Sequence, residues 1–332
     1  MKAILMTATG GPEVLKLRDV PKPAIKSDTE MLVRIKAAGL NPVDAKQRRR
    51  GTWHPAELPQ ILDLDGAGIV EETGRGVTRF SVGDEVYYAY GGVGISPGNY
   101  AEYNVIDERC AAAKPKGVSF TEAAALPASL ITSWESLFDR ARLAPGRTVL
   151  IHAGAGGIGH VAVQLAKVKG MRVAATVSDA EKQALVKKLG AEKVIDYREE
   201  DFVRESLDWT EGRGVDAAVD LVGGETFFRT FGAVRLYGTL VALLRPEVVH
   251  GDWTEARLRN LDISCELMLS PMYYHNMEEQ LRQTRILEEC ADMVDAGHIR
   301  PVVSRSFSLD RAPEAHNALE EGHTVGKIVL TV

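Results

Sequence analysis

The chain has 332 residues, 45% of them hydrophobic and 26% charged, with 31 glycines and 14 prolines. That composition excludes a disordered chain, a collagen-like repeat and a disulfide-dense mini-protein, and at about 100–200 residues per domain the length points to two domains. Forty Lys+Arg against 46 Asp+Glu give a formal net charge of −6, which argues against a dedicated nucleic-acid binder.

The first third reads as short strands between turns. Lys2 to Thr7, Val14 to Val20 and Met31 to Ala38 are rich in β-formers or alternate in polarity, punctuated by Gly10-Gly11-Pro12 and Pro21-Lys22-Pro23. Gly66 to Glu72, Glu85 to Tyr88 and Tyr100 to Val105 continue the pattern, so a small β-rich domain is expected. Arg48-Arg49-Arg50, the one notable charge run, reads as a solvated loop or a cleft rim. Thr121 to Leu137 is Ala- and Leu-rich and reads as one helix. After Pro145-Gly146, strand and helix alternate: strands at Thr148 to His152, Arg172 to Val177, Lys193 to Asp196, Val215 to Asp220 and Thr239 to Leu244, helices at Ile158 to Lys169 and Ala180 to Leu189. Apolar strands in repeated βα units imply a parallel, doubly wound α/β sheet covered on both faces. A helix over Asn276 to Asp295, a segment Pro301 to Phe307, a short helix over Pro313 to Glu320 and a strand from Lys327 to Val332 follow. These last 60 or so residues are expected to return to the first domain.

Cys110, Cys265 and Cys290 are too few and too widely spaced for a disulfide framework or a C-x-x-C zinc or redox motif. The apolar run at the N-terminus meets Gly10 too soon for a signal-peptide core, and no stretch reaches the ~18 apolar residues of a membrane span. A cytoplasmic protein with reduced thiols is expected.

The strongest chemical signal is the G-x-G-x-x-G of Gly154, Gly156 and Gly159, with Ala155, Gly157 and Ile158 between them. It follows a strand and opens a helix, the context that a pyrophosphate site requires. The first glycine is expected at the tight turn, the second where the pyrophosphate approaches, and the third where helix and strand pack. Cofactor choice is set at the end of the next strand. Val177 stands where an NAD enzyme usually carries an acid. Ser178 fits an S-x-x-E capping box with Glu181, and Lys182 offers a cation one helical turn on. Asp179 would either repel a 2′-phosphate or bond the ribose. NADPH is the expected cofactor.

Several motifs in order, Ala37-Ala38-Gly39-Leu40-Asn41-Pro42-Val43-Asp44, Asp65-Gly66-Ala67-Gly68-Ile69-Val70, Gly98-Asn99-Tyr100-Ala101-Glu102-Tyr103, the glycine loop and Gly326-Lys327-Ile328-Val329-Leu330 among them, make the chain resemble the medium-chain dehydrogenase/reductase superfamily. Its zinc-free quinone oxidoreductase (zeta-crystallin-like) branch is the most similar. The resemblance implies a GroES-like catalytic domain over 1–122 and 269–332, and a Rossmann NADPH-binding domain over 123–268. Zinc-dependent members place a Cys ligand where Asn41 stands and Gly-His-Glu where Asp63-Leu64-Asp65 stands, so no metal is expected. Without a Lewis acid an alcohol is a poor hydride donor. Reduction of a quinone or an α,β-unsaturated carbonyl is therefore the expected reaction.

The resemblance also implies residue roles. Asn41 and Asp44 are the expected catalytic residues, Asn41 lying near the nicotinamide at the domain cleft. Thr132 approaches the cofactor, Tyr197 packs at the adenosine phosphate beside Lys182, Leu243 meets the carboxamide through its backbone, and Val222 and Lys327 complete the cofactor set. Tyr87, Tyr88 and Tyr273 are candidate substrate-wall residues, with core packing as the alternative. Variable loops at Arg48 to Leu62, Ala89 to Gly98 and Arg245 to Thr254 are expected to line the cleft. A homodimer is expected through an edge strand at Asp262 to Met268. Enoyl-thioester reductases keep a tyrosine where Trp53 stands, which weakens that alternative; alkenal reduction stays open, as does a non-enzymatic NADPH-binding or interaction protein. No tyrosine has a lysine four residues on, which removes the short-chain dehydrogenases.

Overall fold

The computed structural model describes residues 1–244 and 251–332, so the 245–250 part of the third expected cleft loop lies outside the described residues. Strands β1 (Lys2–Met6) and β2 (Leu15–Asp19) pair antiparallel across the Gly10-Gly11-Pro12 turn. Strand β3 (Glu30–Gly39) leads into helix α1 (Pro42–Arg50), whose last turn is the Arg48-Arg49-Arg50 run expected as a loop or cleft rim. Extended Asn41 caps α1, and Pro42 supplies a pre-set first helical residue with no N–H to satisfy. Three arginines in the last turn suit the negative end of the helix dipole. Arg48 is neither solvated nor a rim residue. It is buried, its Nη2 donating to Glu320 at 2.6 Å and its Nε to the Gly10 carbonyl at 3.1 Å.

Strands β4 (Asp65–Thr73), β5 (Glu85–Ala89), β6 (Tyr103–Asp107) and β7 (Ala112–Ala113) follow, then helices α2 (Phe120–Ala124) and α3 (Pro127–Trp134). The single helix expected over Thr121 to Leu137 is therefore broken before Pro127. Proline disfavours helical backbone at the residue before it and has no N–H to give the preceding turn. The break frees the Ala128 N–H to donate to Asp65 Oδ1 at 2.8 Å.

The alternating segment comprises β8 (Thr148–Ile151), α4 (Gly159–Val168), β9 (Arg172–Val177), α5 (Ala180–Leu189), β10 (Lys193–Asp196), α6 (Phe202–Trp209), β11 (Val215–Asp220), α7 (Glu225–Thr230), β12 (Val234–Ala242), α8 (Thr254–Leu258) and β13 (Asp262–Cys265). The chain closes with α9 (Ser270–Tyr273), α10 (Met277–Asp295), β14 (Val303–Ser308), α11 (Ala312–Glu320) and β15 (Lys327–Thr331).

Contacts divide the chain into two units. The first holds Met1–Ile131 and Leu269–Val332, the second Thr132–Met268. The division falls inside α3 rather than at 122, because Ala123, Ala124, Ala125 and Leu126 are fully buried and α2 packs on β3 and β4. In the first unit, the described residues form a mixed sheet ordered β14-β15-β3-β4-β5-β7, with β6 also on β3. The late strand β15 pairs antiparallel with β3, Val329 opposite Gly39. In the second unit, the parallel sheet runs β10-β9-β8-β11-β12-β13. Counted from β8, that is the order 3-2-1-4-5-6, whose switch point between β8 and β11 marks the ligand crevice of such sheets. Every residue of β8 is buried, as a parallel sheet covered on both faces requires. Among the described residues, no helix is long and apolar enough to cross a membrane.

Candidate functional site

The second unit gathers its candidate residues along the carboxyl edge of the parallel sheet. The glycine loop leaves β8 at the switch point. Ala153, not Gly154, takes the left-handed backbone, with φ 50°. Gly154 answers a different demand: a Cβ there would lie 2.8 Å from the Ala175 Cβ of β9. At Gly159 a Cβ would lie 2.2 Å from the Ala153 carbonyl oxygen, so only glycine lets α4 begin so close to the strand it leaves. The first N–H groups of a helix have no intrahelical acceptor, and with the dipole they make the start of α4 an anion site. The loop therefore fits a pyrophosphate.

The neighbouring strand ends supply the rest. Ser133 Oγ donates to the Ile158 carbonyl at 3.4 Å, which ties α3, and with it Thr132, to the loop. Tyr197 is half exposed, and its N–H donates to the Val177 carbonyl at 3.1 Å. Val222 is exposed just past β11, its N–H donating to Asp220 Oδ1 at 2.9 Å. The Leu243 N–H donates to the Asp220 carbonyl at 3.1 Å, past the end of β12.

At the end of β9 the capping residue differs from expectation. Asp179, not Ser178, caps α5, accepting from the Lys182 N–H at 3.0 Å through Oδ1. Ser178 Oγ donates instead to Asp179 Oδ2 at 2.9 Å, and Lys182 Nζ reaches Ser178 Oγ at 2.8 Å and Asp179 Oδ2 at 2.9 Å. The helix N–H and ammonium of Lys182 hold the Asp179 carboxyl well below the usual carboxylate range.

The first unit holds a buried polar cluster around Lys327. Its Nζ donates to Asn41 Oδ1 at 2.6 Å and to Asp65 Oδ2 at 3.1 Å, with 4% of the residue exposed. The Asn41 amide nitrogen donates to the Gly39 carbonyl and to Asp65 Oδ2, both at 2.9 Å. Asn41 is thus locked from three sides, and its backbone N–H donates to Asp44 Oδ2 at 2.8 Å. The same oxygen accepts from the Tyr100 hydroxyl at 3.4 Å, and that hydroxyl lies 3.1 Å from His316 Nε2. The Asp65 N–H donates to Asp63 Oδ1 at 3.2 Å.

Three carboxylates share this interior with one ammonium. Burial pushes Asp44 up to about 7, against the opposing pull of the Asn41 N–H and Lys327. Burial and the charges of Asp44 and Asp65 hold Asp63 well above the usual carboxylate range. Burial, with Arg48 nearby, lowers His316 to about 3, so its ring is neutral at physiological pH. Asp44 Oδ1 and His316 Nδ1 are buried with no hydrogen-bond partner. Asp65, Tyr100 and His316 join this cluster without a sequence signal that links them: Asp65 and Tyr100 lie in separate motifs, and His316 lies in neither.

The expected substrate-wall tyrosines separate. Tyr87 and Tyr88 are fully buried, their hydroxyls donating to the Leu287 carbonyl at 2.5 Å and to Asn99 Oδ1 at 3.0 Å. They are core residues. Tyr273 is exposed, and its ring meets Trp53 edge-on at 6.5 Å.

Comparison with known proteins accords with this geometry. Residues 27–116 match the alcohol dehydrogenase GroES-like domain and residues 189–330 the zinc-binding dehydrogenase family. The chain is 36% identical to a quinone oxidoreductase of Pseudomonas aeruginosa, over 99% of both chains. It is 32% identical to the chloroplastic NADPH-dependent alkenal/one oxidoreductase of Arabidopsis thaliana, over 99% of this chain and 79% of that protein. The crystal structure of Escherichia coli quinone oxidoreductase complexed with NADPH is similar at a TM-score of 0.88 and 31% identity, covering 100% of each chain. The first unit is accordingly a GroES-like domain and the second a Rossmann domain. The chain belongs to the quinone oxidoreductase group of the medium-chain dehydrogenase/reductase superfamily.

Proposed function

We propose that this oxidoreductase uses NADPH to reduce a quinone or an α,β-unsaturated carbonyl, without zinc. The observation that carries the reading is the Lys327 ammonium, which takes up Asn41 and Asp65 as a fixed internal cation. These residues do not suit zinc. Leu64 has no donor atom, and both ends of the Asn41 amide are already bonded. Zinc takes thiolate, imidazole or carboxylate ligands, and among the described residues no three His, Cys, Asp or Glu are grouped so as to hold a metal ion.

When bound, NADPH supplies the hydride. The glycine loop and the start of α4 would bind the pyrophosphate, and Tyr197, Ser178 and Lys182 would hold the adenosine end. In the first unit, Lys327 fixes the Asn41 amide, and protonated Asp44 holds the proton that the reduced acceptor must gain. The Tyr100 hydroxyl donates to Asp44 Oδ2 and lies beside the neutral His316 imidazole, and so holds the carboxyl in place. Conjugated acceptors spread the developing negative charge themselves, so orientation can supply most of the rate, as much as roughly 7–11 kcal/mol of barrier.

The test is NADPH oxidation with a panel of quinones, enones and alkenals, and NADP⁺ reduction with simple alcohols, before and after exhaustive chelation. Quinones or enones should be turned over, alcohols should not, and chelation should leave the rate within twofold. A stoichiometric zinc whose removal abolishes activity would defeat the metal-free reading.

A homodimer is part of the proposal. Strand β13 pairs only with β12 among the described strands and so presents an edge. Ile263 is partly buried and Met268 buried, which leaves Leu267, 38% exposed, as the apolar contact. Light scattering at micromolar concentration should give twice the chain mass, and Leu267→Glu should shift the particle toward monomer.

A further inference from the structure

The start of α5 already contains an anion where a nucleotide's 2′-phosphate would seek its cation. Asp179 takes the Lys182 N–H on one oxygen, and the Lys182 ammonium and Ser178 hydroxyl on the other. The ammonium is held inward, its side chain 12% exposed, while the Asp179 side chain is 40% exposed. A second acid, Glu181, stands in the same first turn. The positive end of α5 and its nearest cation are therefore both spent on a residue of this chain.

A phosphomonoester brings about −1.5 to −2 charges at neutral pH. To reach Lys182 and Ser178 it must displace the Asp179 carboxylate, and it meets like charge as it does so. A ribose with a free 2′-hydroxyl meets no such opposition, since it can donate to that carboxylate. We infer that Asp179 is a specificity-determining residue, a resident competitor for the 2′-phosphate site that weakens discrimination between NADPH and NADH. The inference rests on the dinucleotide reading above.

The adenosine end can be tested without catalysis, by calorimetric titration with 2′,5′-ADP and 5′-AMP, which differ only in the 2′-phosphate. Asp179→Asn keeps a side chain able to cap α5 and removes the charge; Asp179→Ser is the second variant if the first is unstable. Either should tighten 2′,5′-ADP about tenfold, the effect of a charge-assisted contact, and leave 5′-AMP within twofold. Adding Lys182→Ala to Asp179→Asn should abolish that gain. Unchanged or weaker 2′,5′-ADP binding by both folded variants, with NADPH still bound by the parent, overturns the inference alone. Failure of the parent to bind NADPH, NADH or either probe overturns the cofactor reading and this inference with it.

Discussion

Lys327→Met should lower the stability of the protein by about 3–5 kcal/mol, because removing one partner of a buried ion pair leaves the other charge uncompensated. Asp65 is fully buried, and its remaining partners are the Ala128 N–H and the Asn41 amide. Neither carries a formal charge. Adding Asp65→Asn should recover most of the loss, since the new amide oxygen can still accept from Ala128, and a double-mutant cycle measures the coupling directly. Urea unfolding followed by circular dichroism is the measurement. A single variant within 1 kcal/mol of the parent would show that the pair does not hold the first unit together.

The second large effect is on the pH profile. If protonated Asp44 is the proton source, kcat with an enone falls as pH rises through about 7, by tenfold per unit well above that point. Asp44→Asn should cost about 10²-fold or more at pH 6, the usual size of a general-acid contribution, and flatten the slope. NADPH affinity should not change. The groups facing Asp44 are Asp63 and Asp65, Lys327 on β15, Tyr100, and His316 beyond the Tyr100 hydroxyl. The same carboxyl gives a stability signature of definite sign. Its folded-state value lies above the unfolded one, so its contribution is complete below about pH 4 and lost as pH rises through about 7. An Asp44→Asn variant that keeps the parent's kinetic slope would remove Asp44 from proton delivery.

The Rossmann unit was largely legible from sequence because its determinants are local. An apolar strand, a glycine turn and a helix are contiguous, and the strand order follows from repeated right-handed crossovers. Departures arose where two local rules compete. At Ser178-Asp179 either residue can cap, and the carboxylate prevails because it also gains the Lys182 ammonium. At Leu126-Pro127 the apolar pattern says helix, and the proline interrupts it. The GroES-like site was legible only as a set of parts. Lys327 is 286 residues from Asn41 and 262 from Asp65, and Arg48 is 272 from Glu320. No periodicity links residues so far apart, so buried Arg48 looks like its exposed neighbours Arg49 and Arg50, and nothing in the sequence ties Lys327 to Asn41 and Asp65.

The place of β15 in its sheet has a consequence for how the protein is made. The strand that lies against β3 and carries the cluster's ammonium follows all its sheet partners in the chain. A ribosome therefore delivers the acids of the cluster first and their counter-ion last, after the whole Rossmann unit has emerged and begun to fold by itself. Until then Asp44, Asp63 and Asp65 share no internal cation, and their enclosure is opposed by the cost of desolvating them. Nascent or prematurely terminated chains should present an open, protease-sensitive first unit beside a folded nucleotide-binding one.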